Sequence, residues 1–295
     1  MFYTCSLLHM SMSAECRINV LEYLGAVLGL SVFMALGWLY LLSLTGMLSL
    51  QSISNPFVPF VLAVALTVVA HEGTHAVVAK ILGAGKIKAG IFKYGAYVAV
   101  EDPLPRDKWV IVALAPLIIS PTTLVLAYLS GGIFRDTLIL TSIINFVGSS
   151  GDIVLVTFSL TTSRDTLIRD EGAAIVFRGK CPDMSRARKI RALAPAGLAL
   201  FLMLTIVLPI LMFVAQFSLP RADRAKEILQ DKGTIIADLF GLVEARESLV
   251  DTPSGKVISY TAEPKPLYFA LTLLVSLIAG YIGWLAEKRR VREQK

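Results

Sequence analysis

Cysteine, histidine and charge are all scarce in this chain of 295 residues. Its three cysteines, Cys5, Cys16 and Cys181, follow neither a paired nor a metal-ligating spacing, which argues against a disulfide framework and against a cysteine zinc site. They read as isolated thiols. Of the three histidines, His9 stands alone in the N-terminal tail as a surface residue, so any histidine chemistry must come from His71 and His75. The tail up to Asn19 lacks the positive start and small-residue cleavage site of a signal peptide and is read as retained. Charged residues are 17% of the chain, and the net charge of +6 sits mostly in loops and at the C-terminal end, where orientation in a membrane accounts for it. Nucleic acid is therefore not expected as a partner.

Apolar sequence is abundant. It makes up 55% of the chain, mean hydropathy is +0.69, and six runs are long enough to cross a bilayer, at about residues 24–48, 57–82, 109–129, 137–160, 192–217 and 266–286. This predicts an all-α polytopic membrane protein of about six transmembrane helices. Trp38 and Tyr40 in the first run face either partner helices or an interface. Pro116 and Pro121 predict a kink in the third. Between the second and third runs, Ile87, Ala89 and Ile91 alternate with Lys88, Gly90 and Phe92, Tyr94-Gly95 offers a turn, and residues 96–100 resume an apolar run. That pattern reads as a short β-hairpin, with an irregular loop as the plain alternative. Residues 218–265 form a small extra-membrane insertion between the fifth and sixth runs. In it Ile235, Ile236, Leu239, Phe240 and Val243 recur at helical spacing, predicting an amphipathic helix that lies on the membrane or covers a site, against a solvated connector; residues 256–261 read as a short strand.

The second run carries His71-Glu72-Gly73-Thr74-His75. On a helix the two histidines lie one turn apart on one face, so both imidazoles reach one metal ion while Glu72 stands beside them. Two neutral imidazoles leave zinc charged enough to acidify a water, and a carboxylate outside the ligand set takes the proton. The plain alternative is a pair of membrane histidines hydrogen-bonded to neighbouring helices. The fourth run carries Asn145-Phe146-Val147-Gly148-Ser149-Ser150-Gly151-Asp152, and Asp152 is its one acid. A carboxylate near the middle of a membrane helix costs about 2.5–3.5 kcal/mol on insertion scales unless something binds it, and two histidines lack a third ligand. Asp152 is assigned to the metal on that ground. Gly148 and Gly151 let the helix loosen or form a packing seam, and Asn145 either hydrogen-bonds a substrate carbonyl or supports the site.

Charge sets the expected topology. Residues 161–191 hold eight Lys and Arg against four acids, and the chain ends in Glu287-Lys288-Arg289-Arg290-Val291-Arg292. Both are expected in the cytoplasm, which through six spans puts both termini there and residues 218–265 outside. Runs two and four then point the same way, and His71 and Asp152 fall at similar depth, about 20 Å from their outer starts.

These residues resemble the site-2 protease class of intramembrane zinc peptidases. More closely, Gly151-Asp152-Ile153 followed by Arg169-Asp170-Glu171-Gly172 is similar to a group of small, uncharacterised polytopic proteins regarded as zincin peptidases. The resemblance covers roughly residues 57–177. It implies zinc on His71, His75 and Asp152, Glu72 as the catalytic residue that activates water, and Asn145 as a substrate-binding residue. The chain departs from the site-2 pattern where Gly148 stands near its proline position and Ile153 follows the aspartate, and it has no PDZ-like insert. The implied organisation is residues 1–56 as tail and first helix, 57–191 as a zincin-like membrane core with a cytoplasmic basic loop, and 192–295 as C-terminal helices with the insertion. The expected function is a zinc-dependent membrane endopeptidase acting on membrane proteins or peptides within the lipid bilayer. The alternative is a non-catalytic zinc-binding scaffold, or a transporter or chaperone-like component.

Overall fold

The computed structural model describes residues 15–47, 57–92, 95–172, 174–217, 219, 234–252 and 255–293, so Cys5 and His9 lie outside the described residues. The chain divides into two compact units, Met1–Ala194 and Pro195–Lys295. Among the described residues six helices are long and apolar enough to cross a membrane: Val20–Leu44, Phe57–Ile81, Arg106–Tyr128, Gly132–Ser159, Met184–Ala215 and Pro266–Glu293.

In the first unit α1 (Leu24–Leu44) and α2 (Phe57–Ile81) are continuous. The third span is broken: α3 (Arg106–Leu114) passes through a 3-10 turn, Ala115–Ile118, into α4 (Ile119–Tyr128). Pro116 lies in that turn and has no N–H to give the carbonyl four residues back, so the regular ladder stops there, as the prolines predict. The fourth span is also broken, α5 (Gly132–Gly148) giving way at Ser149 to α6 (Ser150–Ser159). Trp38 faces a partner helix, its indole N–H donating to Ser142 Oγ at 2.7 Å and its ring stacking on Phe146.

The protein is not all-α. Strands β1 (Glu15–Asn19), β2 (Ile87–Phe92), β3 (Gly95–Val100), β4 (Leu104–Pro105), β5 (Leu167–Asp170) and β6 (Ala174–Arg178) also belong to the first unit. β2 and β3 pair antiparallel, from Ile87 opposite Val100 to Phe92 opposite Gly95. The others form one antiparallel sheet in the order β1-β6-β5-β4. The expected basic loop of residues 161–191 therefore holds two strands, and the expected tail supplies a third. Cys16 on β1 and Cys181 just past β6 are joined in a disulfide, their Cα atoms 5.7 Å apart. This corrects the reading of both as isolated thiols: 165 residues separate them, and only the sheet brings them together.

One apolar cluster ties this sheet to the helices. Ile18, Ile168, Ile175 and Phe177 of the strands pack with Ala79 of α2, Trp109 and Val112 of α3, and Val154 and Phe158 of α6. Burying such side chains contributes about 1.5–3 kcal/mol each, and here it fixes α2, α3 and α6 against one another.

The second unit contains the end of α7 (Met184–Leu202), a π-helical turn Met203–Val207, α8 (Leu208–Phe217), β7 (Thr234–Leu239), β8 (Val243–Thr252), β9 (Gly255–Pro264) and α9 (Pro266–Glu293). The strands form an antiparallel sheet, β7-β8-β9. The amphipathic helix expected across residues 235–243 is thus a strand and a turn. Ile235, Ala237 and Leu239 alternate toward the more buried face with Thr234, Ile236 and Asp238 exposed between them. Phe240 and Gly241 then take positive φ, 53° and 69°, and Leu242 N–H bonds to Leu239 O at 2.9 Å. Two left-handed central residues make the type of turn whose twist matches a hairpin. The strand expected at residues 256–261 lies within β9.

Candidate metal centre

His71 and His75 stand one turn apart on α2, and Asp152 lies in the first turn of α6. Their ligand atoms all fall within 4.8 Å of one another. His71 Nε2 is 3.3 Å from Asp152 Oδ2 and His75 Nε2 is 3.7 Å from Asp152 Oδ1. Donors bound tetrahedrally to zinc at about 2.0–2.1 Å would be separated by roughly 3.4 Å, so the three side chains fit one ion. Asp152 Oδ2 is buried and has no hydrogen-bond partner among the described residues, which a cation held there would supply.

Both imidazoles are turned by bonds on their far side. His75 Nδ1 lies 2.9 Å from Val112 O. A carbonyl only accepts, so Nδ1 carries the proton and the Nε2 lone pair faces Asp152. Val112 is four residues before Pro116, so its carbonyl lacks the regular helical N–H partner; it takes the Ala115 N–H and has a second lone pair for the imidazole. His71 Nδ1 lies 3.0 Å from Asn145 Oδ1, while Asn145 Nδ2 donates to Pro116 O and to Ser120 Oγ, both at 2.8 Å. The amide is thereby oriented with its oxygen toward His71, which must donate. Such partners fix the tautomer of a ligand histidine and raise its basicity. Asn145 is fully buried with both ends of its amide engaged. Of the two roles its sequence allowed, the geometry fits support of the site. Val112 and Ser120 were not singled out by the sequence; the prolines beside them were the available signal.

Glu72 turns to the β2–β3 pair, and its Oε2 accepts the backbone N–H of Val98 at 2.7 Å. That N–H points away from β2, so the outer edge of β3 faces α2 beside the histidines. Asp170, at the end of β5, is a further acid close to the centre. Burial, opposed by the Gly172 N–H and aided by the charges of Asp152 and Glu72, pushes its carboxyl up from 3.8 to about 6.

A family model described as "Putative zincin peptidase" matches residues 64–167. That stretch contains the three ligand candidates, Glu72, Val98 and the supporting Val112, Pro116, Ser120 and Asn145. An uncharacterised 24.7 kDa protein of Pyrococcus woesei is 31% identical over 140 residues, which are 46% of this chain and 62% of that protein. The chain thus spans under two thirds of that relative's length. No solved structure matches. The matched stretch is 104 of the 295 residues, and the family's description implies zinc as the metal.

Proposed function

We propose that this protein is an intramembrane zinc metalloprotease of the site-2 protease type, cutting membrane-associated proteins or peptides. The observation that carries the reading is the convergence of His71, His75 and Asp152 with Glu72 beside them on helices long and apolar enough to span a bilayer. Zinc held by the three side chains would supply Lewis acidity toward water and the scissile carbonyl. The remaining chemistry belongs to the chain. Glu72, anchored through Oε2 by Val98, offers Oε1 to take the proton of the attacking water. As the carbon–oxygen bond forms and the carbon–nitrogen bond breaks, it passes that proton to the leaving nitrogen. Asn145 and Val112 hold the imidazoles in the tautomer that ligation needs.

A helical peptide bond is shielded from attack, so a membrane substrate must unwind. The outer edge of β3 supports a place for the unwound strand, because it lies beside Glu72 and the histidines, and strand addition there would hold the peptide extended. The orientation is supported by the strands of the first unit. β1, β4 and the β5–β6 pair come from segments that a six-span count puts on one side, and the basic residues between 161 and 191 are what supports a cytoplasmic reading of that side.

The test is cleavage of a library of membrane peptides by wild type and Glu72→Gln, each with its zinc content measured. Glu72→Gln should lose about 10²–10⁴-fold in rate while keeping its zinc. Equal cleavage by both proteins would remove Glu72 from the reaction, and no cleavage by zinc-loaded wild type would favour a scaffold.

A further inference from the structure

Beside the centre lies a cleft of about 490 Å³ that the proposed chemistry does not use. One wall is the β2–β3 face opposite the one that Ile87 and Val100 bury, and it carries Lys86, Lys88, Ala99 and Glu101. The other wall is the end of β5 and the turn after it, with Arg169, Asp170 and Glu171. The cleft adjoins the metal centre: Ala99 follows Val98, whose N–H holds Glu72, and the Asp170 carboxyl feels the charges of Asp152 and Glu72.

Acceptors and donors in the cleft are unequally served. Asp102 Oδ2, at its inner end, takes the backbone N–H groups of Gly85 and Lys86 at 2.6 and 2.7 Å. Glu171 is held by Arg169 through Oε1 and by Arg17 through Oε2. Asp170 Oδ1 takes the Gly172 N–H at 2.6 Å. On the donor side, Lys86 and Lys88 are exposed and make no ion pair among the described residues. Arg169 Nε is buried and has no acceptor among the described residues. A buried donor left unmade costs about 1–3 kcal/mol, more when charged, so an acceptor brought to it would be stabilised. Exposed Glu101 is the remaining acid and stands at the rim across from Lys86.

We propose that this cleft is a subsite for a carboxylate on the peptide flanking the bond to be cut, held by Lys86, Lys88 and Arg169. The inference rests on the peptidase reading and extends it to the class of substrate accepted. Two sources share the chemistry: an Asp or Glu side chain, and the carboxylate at a peptide's C-terminus. The position suits either, because a strand laid along the outer edge of β3 continues past Ala99 into the cleft.

The experiment uses the full chain in nanodiscs of neutral phosphatidylcholine and a membrane peptide in three forms, with Glu, Gln or Lys in the cytoplasmic flank, each as the C-terminal acid and as the amide. Cleavage by zinc-loaded wild type is measured beside binding of the same fluorescent peptides to Glu72→Gln, which reads the cleft whether or not hydrolysis occurs. The Glu form should exceed the Gln form by about fivefold in kcat/KM and in affinity, and the Lys form should fall below both. In the Lys86→Gln/Lys88→Gln background the ratio of Glu to Gln should approach one, and Lys86→Glu/Lys88→Glu should invert the order. A difference between acid and amide instead of between side chains would assign the site to the C-terminal carboxylate. Equal treatment of all peptides in both assays, or a preference that survives the lysine substitutions, would overturn the proposal. So would a lysine effect that appears only when anionic phosphatidylglycerol is added and ignores the peptide flank, since the cleft would then read lipid. Loss of cleavage with flank-dependent binding intact would count against the peptidase reading alone.

Discussion

Two carboxylates, one in each unit, carry a buried oxygen without a hydrogen-bond partner among the described residues, and they differ in what surrounds them. Asp152 lies between two imidazoles that are themselves oriented by Asn145 and Val112, and those partners are held by a proline-broken helix. Glu247 on β8 is 1% exposed, and neither oxygen has a hydrogen-bond partner among the described residues. Its strand buries Val243 and Ala245 with Ala215, Leu211 and Met212 of α8 in an apolar layer. The spans differ in the same way. About 44% of the apolar window of Gly132–Ser159 is buried, against 6% for Met184–Ala215 and 11% for Pro266–Glu293. The first unit surrounds its polar groups with helices; the second leaves its helices apolar and outward. A buried charge points to function when other groups converge on it, and burial by itself does not.

The sharpest way to break this contrast is to replace both acids alike. Asp152→Leu should reduce peptide cleavage to background, whereas Glu247→Leu should leave cleavage intact and raise stability by about 1–3 kcal/mol, seen as a higher unfolding midpoint. If Glu247→Leu also abolished cleavage, the division between the units would fail. A smaller effect is expected at the edge of the first unit. Cys16→Ser, or reduction of wild type, should cost about 2–5 kcal/mol in the unfolding of the sheet, measured by hydrogen exchange at β1 and β6 against β8 as the internal reference. Asn145→Ala should weaken zinc by about 10–100-fold in a competition titration, because His71 loses the acceptor that orients it.

The smallest effect concerns pH. The Asp170 carboxyl, raised to about 6, binds its proton more tightly in the folded chain than in the unfolded one. Its contribution is therefore fully present below about 4 and is lost as pH rises through about 6. Asp170→Asn should remove that fall, worth about 1–2 kcal/mol after allowance for partial exposure, and flatten the stability profile between those limits. An unchanged profile would place Asp170 in a more solvated setting than the sheet gives it.

What could be read before folding follows the same contrast. The histidine pair was legible because a four-residue spacing becomes one helical face, and Asp152 because a lone acid stands out in an apolar run. The supporting shell was not, since Val112 contributes a backbone carbonyl and Ser120 is an ordinary helix residue. The sheet β1-β6-β5-β4 was hidden because its strands are two to five residues long and come from separate loops, and its disulfide was hidden with it. In residues 235–243 the apolar positions satisfy both a helical and an alternating period. The Phe240-Gly241 turn decides between them, and it lacks the Asn-Gly or Asp-Gly that usually announces such a hairpin.

The most direct measurement is the zinc content of purified wild type beside His71→Ala and Asp152→Ala, by elemental analysis after removal of loosely held metal. A shared centre predicts one zinc per wild-type chain and its loss from both variants, although the substitutions lie on different helices. Retention of zinc by Asp152→Ala, or a wild type that holds none, would contradict it.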